Sequence, residues 1–168
     1  MNETCLFELG ENRRITWEIT HKCNYNCRHC CSKAGAKYEK ELEKKRIFSV
    51  IDEMNSEKVD SIYFSGGEPL IRNDIIEILN KAKSIQNIKL SLASNGSLIT
   101  ERMAKDLKDS GLNCVLISLD GNTAEVQNEI RQNCNAFQDA FVSEWFLSGS
   151  EHLHHIGIIS RRDNLFDT

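Results

Sequence analysis

Residues 23 to 30 read Cys23-Asn24-Tyr25-Asn26-Cys27-Arg28-His29-Cys30, three thiols spaced C-x3-C-x2-C. Thiolates are soft ligands that take zinc or iron–sulfur clusters. A loop this tight can turn three sulfurs toward one point. Iron–sulfur proteins of the electron-transfer type usually supply four cysteines per cluster. Three would leave one iron of a four-iron cubane open to a small molecule, much as a catalytic zinc keeps a position that a structural zinc closes. The same residues have a second reading: a structural zinc held by Cys23, Cys27, Cys30 and either His29 or Cys31.

Three further stretches have loop chemistry of their own: Ser65-Gly66-Gly67-Glu68-Pro69, Ser94-Asn95-Gly96 and Ser118-Leu119-Asp120-Gly121. Paired glycines let backbone groups approach a ligand without a Cβ in the way. Glu68 adds an acceptor for an ammonium group, and Pro69 fixes the turn. Asn95-Gly96 suits a left-handed turn. Ser118 and Asp120 share one face if the strand before them continues with a period of two.

The elements that must carry these loops alternate. Arg13–Thr20 reads as a strand, with Ile15, Trp17 and Ile19 alternating with Thr16, Glu18 and Thr20. Residues 39–55 read as a helix whose charged run Glu39–Arg46 is a solvated face. Val59–Phe64, Ile88–Ala93 and Cys114–Leu119 read as further strands. Asn73–Ile85 and Thr100–Asp109 read as helices, the latter with Thr100 as N-cap and Gly111 just past its end. Residues 124–147 hold another helical region, carrying Phe137, Phe141 and Trp145 at i, i+4 and i+8. His152–Ser160 reads as a fifth strand, and Asp163 as the N-cap of a fifth helix at which the chain stops. Strand–helix repetition implies parallel pairing with right-handed crossovers. An open doubly wound sheet and a (β/α) barrel both satisfy that pattern. In a barrel, the loops after the strands share the face where ligands bind. All four unusual loops follow strands.

With these motifs in this order, the chain resembles the radical S-adenosylmethionine (radical SAM) superfamily, and within it the enzymes that mature peptides or build cofactors. The resemblance runs from about Ile15 to Arg131. It implies an α/β fold, a partial (β/α) barrel with parallel strands and about five β/α units, C-terminally shortened. Residues 1–168 would form one core domain, with 1–12 as a lead-in. It implies Cys23, Cys27 and Cys30 as ligands of a 4Fe-4S cluster whose open iron chelates the amino and carboxylate groups of S-adenosylmethionine. An electron then cleaves the sulfonium to a 5′-deoxyadenosyl radical that abstracts hydrogen from a substrate. His29 stands where the family has an aromatic residue. Gly66, Gly67, Glu68 and Pro69 match the motif that receives the amino group. Asn95, Ser118 and Asp120 match ligand-facing positions, and Arg131 matches an arginine that approaches the carboxylate. Implied partners are an electron donor such as flavodoxin or ferredoxin, and a substrate peptide or small molecule. A shortened, inactive relative is the other expectation the resemblance leaves.

The remaining cysteines and histidines read as structural. Cys31 is expected to point away from its neighbour, and His21 to serve local structure. Cys5, Cys114 and Cys134 read as small hydrophobes or plain thiols. His152, His154 and His155 lie at the start of their strand, opposite the cysteines. A net charge of -4 gives no electrostatic reason to expect nucleic acid. No apolar run nears the ~20 residues of a membrane span. Residues 1–14 carry Glu3, Glu8 and Glu11 and no export signal, so a cytoplasmic protein with reduced thiols is expected. Metal analysis separates the two readings of the cysteine loop. A brown protein containing iron and sulfide is expected; a colourless one with a single zinc would support the structural module.

Overall fold

The structure is a computed structural model, and it describes residues 13–35 and 41–148. Four parallel strands, β1 (Arg14–Thr20), β2 (Ser61–Gly66), β3 (Lys89–Ser94) and β4 (Cys114–Ile117), form one sheet in the order β1-β2-β3-β4. Helices α1 (Lys44–Ser56), α2 (Ile75–Ala82) and α3 (Glu101–Asp109) make the crossovers, and α4 (Ala124–Arg131) and α5 (Ala136–Ser148) follow β4. A doubly wound sheet reverses its strand order at a switch point. Here the order is strictly consecutive, as a barrel wall requires.

Period-two alternation divides the two faces of the sheet. Ile62 and Phe64, Leu90 and Leu92, and Val115 and Ile117 point to one side and are buried there with Ile47, Ile51, Ile78, Leu79 and Leu107 of the helices. Trp17 lies opposite Phe64 in register and stacks on it, ring centroids 6.1 Å apart. The other face carries Tyr63, Ser65 and Ala93, which line a cavity. The sequence thus packs one face and leaves the other for a site.

Helix boundaries follow local signals. Thr100 caps α3 by accepting from the Met103 amide at 3.2 Å, and Thr123 caps α4 by accepting from Val126 at 3.4 Å. The helical region expected in 124–147 is two helices. Gln132 adopts a left-handed conformation (φ 51) and ends α4. In α5 the buried residues are Ala136, Ala140, Ser143 and Leu147, while Phe141 and Trp145 are exposed. The aromatic spacing marks the helix but not its packed face. The small residues are the ones that let α5 approach the sheet closely.

Two expectations about element bounds change. The first helix starts at Lys44, so the described part of the charged run does not all lie on a solvated helix face. Glu41 instead accepts from the Thr20 hydroxyl and pairs with Lys22 at 3.2 Å. The fourth strand ends at Ile117, so Ser118 and Asp120 stand in the loop after it. The fifth strand, with His152, His154, His155 and Ile156–Ile159, the start of a fifth helix, and Cys5 lie outside the described residues. Phe64 is fully buried at the centre of the sheet. Phe64→Ala is expected to lower unfolding free energy by about 3–5 kcal/mol, read from urea denaturation.

Candidate active site

The C-terminal ends of all four strands open on one cavity. Its lining includes Cys23, Cys27, Cys30, His29, Gly66, Gly67, Asn95, Ser118, Asp120 and Arg131. Loops that are up to a hundred residues apart in the chain therefore meet, and they are the ones with unusual composition.

The cysteine loop starts directly after β1 and closes through Gly35, whose amide donates to the His21 carbonyl at 2.9 Å. Inside it the Tyr25 amide lies 3.4 Å from Cys23 Sγ and the Ala34 amide 3.3 Å from Cys30 Sγ. Two backbone donors thus aim at two of the sulfurs. Burial pushes the Cys23 and Cys27 thiols up; the Tyr25 amide offsets this at Cys23 and Arg131 at Cys27. Ligation by metal would therefore release protons from these two residues. Cys31 borders the same cavity and is exposed.

Cys23, Cys27 and Cys30 frame a shared space and stand close enough for their charges to interact, a donor set whose chemistry fits a thiolate-held iron–sulfur cluster.

The glycine pair has a more specific job than openness to a ligand. A Cβ on Gly66 would lie 2.2 Å from the Thr20 carbonyl oxygen, and one on Gly67 would lie 2.1 Å from that of Lys22. Gly67 N donates to Thr20 O and Glu68 N to Lys22 O, both at 2.8 Å. The turn after β2 lies directly against the entrance of the cysteine loop, and only glycine permits that approach. Pro69 starts a 3-10 turn, Pro69–Ile71, and is buried behind the site.

Glu68 does not face the cavity. Its side chain is fully buried, with Oε1 accepting from Leu70 N at 3.1 Å and Ser94 Oγ at 3.0 Å, and Oε2 from Asn95 N at 2.7 Å. It braces the β2 loop to the β3 loop. Burial lifts its pKa to about 7 against the pull of those three donors. Asn95 in turn donates to Asn24 Oδ1 at 2.9 Å and accepts from Ser97 at 2.9 Å, tying the β3 loop to the cysteine loop.

Asp120 and Arg131 form a buried pair, with Nε 2.7 Å and Nη2 2.6 Å from Oδ2. His29 Nε2 stands 3.5 Å from the same oxygen. The Ser118–Gly121 loop is held by a residue that sequence reasoning passed over. Gln127, fully buried on α4, accepts from Asp120 N at 2.8 Å and Gly121 N at 2.9 Å and donates to Ser118 O at 3.1 Å. A lone glutamine on an otherwise core-facing position was its only signal. Tyr25, buried within the cysteine loop, was also missed.

A parallel β/α wall carries three thiols and three polar loops around one cavity at its strand ends. The family model of the radical SAM superfamily matches residues 17–164, and the chain belongs to that superfamily. Its members use a 4Fe-4S cluster and S-adenosylmethionine, and those it matches include maturases and synthases. The AdoMet-dependent heme synthase of Oleidesulfovibrio alaskensis is 32% identical over 154 residues, 91% of this chain and 39% of that protein. The mycofactocin maturase MftC of Mycolicibacterium smegmatis is 36% identical over 127 residues, 74% of this chain and 32% of that one. The chain thus spans about a third to two-fifths of these relatives. Among solved structures, anSMEcpe with bound AdoMet superposes with a TM-score of 0.71 at 24% identity, covering 86% of this chain and 42% of that one. Streptococcus suis SuiB bound to precursor peptide SuiA gives 0.73 at 17% identity, covering 90% and 34%. These two likenesses confirm the partial barrel.

The Glu68 brace has a pH signature. Its folded pKa, about 7, lies above the ordinary 4.5, so the folded state holds the proton where the unfolded state has lost it. Its contribution to stability is complete below about 4.5 and falls as pH rises to about 7. Relative to Glu68→Gln, the wild type should lose up to about 3 kcal/mol across that window and stay level above it. Denaturant titrations of both proteins at several pH values measure the difference.

Proposed function

We infer that this chain is the cluster-binding and S-adenosylmethionine-binding part of a radical SAM enzyme acting on a peptide or a cofactor precursor. The observation that carries this is the meeting of Cys23, Cys27 and Cys30 with the three other strand-end loops around one cavity. When bound, the cluster supplies the electron that splits the sulfonium and yields the hydrogen-abstracting 5′-deoxyadenosyl radical. The chain's own residues do the rest. The three cysteines hold three irons. Gly66 and Gly67 bring backbone carbonyls to the cavity for the ligand's amino group, since the amides of Gly67 and Glu68 are already committed to Thr20 and Lys22. Arg131 brings a guanidinium suited to a carboxylate, held in place by Asp120. Asn95, Ser118 and Asp120 supply polar groups for ligand hydroxyls, and His29 adds a ring beside them.

The substrate class rests on the relatives: maturases and heme synthases, and a solved neighbour that holds a precursor peptide. The electron donor would be a small protein such as flavodoxin or ferredoxin. A cytoplasmic setting suits the six described cysteines, all free thiols. Among the described residues no helix is long and apolar enough to cross a membrane.

Anaerobic reconstitution with iron and sulfide, then reduction in the presence of S-adenosylmethionine, tests the reading. The 168-residue chain should yield 5′-deoxyadenosine and methionine, and Cys27→Ala should lose both cluster and product. A cluster without product would leave an inactive relative, and a cluster retained by Cys27→Ala would overturn the ligand assignment.

A further inference from the structure

Between Cys23 and Cys27 the chain must arch so that both sulfurs reach the same cavity. Two of its outward ties are exposed, Asn24 to Ser97 at 2.7 Å and Asn26 to Gln132 at 3.0 Å, and Asn24 also accepts from Asn95 at 2.9 Å. Tyr25, at the middle of the arch, differs. It is 5% exposed, and its hydroxyl donates to Asp139 Oδ2 on α5, 114 residues away in sequence. Asp139 is itself held in place. Its helix packs on the β3 loop so tightly that a Cβ on Gly96 would lie 3.0 Å from the Asp139 carbonyl oxygen and 2.7 Å from Ser143 Oγ. The acceptor for Tyr25 therefore stands on a rigid element.

We propose that the hydrogen bond from Tyr25 to Asp139 is the tie that sets the span between Cys23 and Cys27, so that both are positioning residues for the cluster. This rests on the cluster reading above. Neither side chain is a metal ligand. Their effect passes through the backbone between two ligands, as outer partners of metal ligands commonly act. Without the hydroxyl, the arch would keep its buried ring but lose its fixed height above the cavity.

The test uses the full 168-residue chain, reconstituted anaerobically with iron and sulfide. Iron and sulfide per chain, the electron paramagnetic resonance spectrum of the reduced cluster, and the rate of iron loss to a chelator are measured. Tyr25→Phe and Asp139→Ala should release iron about tenfold faster than wild type and broaden the spectrum, the size expected when an outer partner of a ligand is removed. Asp139→Asn keeps an acceptor oxygen for the hydroxyl and should stay near wild type. Melting of the unloaded proteins, followed by circular dichroism, shows whether the variants fold. If Tyr25→Phe does not fold, the contrast between the two Asp139 variants decides. Wild-type retention by Tyr25→Phe overturns the proposal. So does a loss in Asp139→Asn as large as in Asp139→Ala, or faster release that only tracks a lower melting temperature. A wild-type protein that takes up no iron and sulfide overturns the cluster reading itself, whereas uptake with indifferent variants removes only the tie.

Discussion

The site depends on a backbone contact between two neighbouring loops. At the end of β1 and just past it, the amides of Gly67 and Glu68 bond to the carbonyls of Thr20 and Lys22. Strand pairing is thereby carried beyond the sheet and into the entrance of the cysteine loop. A side chain at Gly66 or Gly67 would overlap those carbonyls. The contact sets where the first cysteine begins, and the other loops are arranged around that origin.

Buried polar groups extend the arrangement across the top of the sheet. Glu68 joins the second loop to the third, Asn95 joins the third to the cysteine loop, and Gln127 holds the fourth. Asp120 and Arg131 then fix each other beside His29. Each group is expensive to bury alone and is satisfied by a different loop. The loops are therefore coupled: displacing one leaves a buried donor or acceptor of another without its partner. That coupling would hold a bound ligand in one orientation.

Much of this was readable in the chain, for a physical reason. Apolar periodicity is local, so β1, α2 and α3 were placed to within a few residues, and Thr100 and Gly111 mark the ends of α3 as caps do. The end of β4 was missed because Ser118-Leu119-Asp120 continues the alternation without the pairing that makes a strand. The break at Gln132 was missed because a left-handed glutamine has no composition signal. The spacing of Phe137, Phe141 and Trp145 marked a helix without saying which face packs, and the close approach at Gly96 selects the small face of α5.

Sequence by itself determined the thiol spacing, the four loop compositions, and the strand–helix alternation that puts those loops on one side, because each is a property of residues near one another in the chain. Tertiary structure decided the consecutive strand order, which separates a barrel wall from a doubly wound sheet. It also decided the roles of Glu68, Gln127, Tyr25 and Asp139. A hydrogen bond between residues 25 and 139 depends on how whole elements stack, and no local pattern encodes that distance.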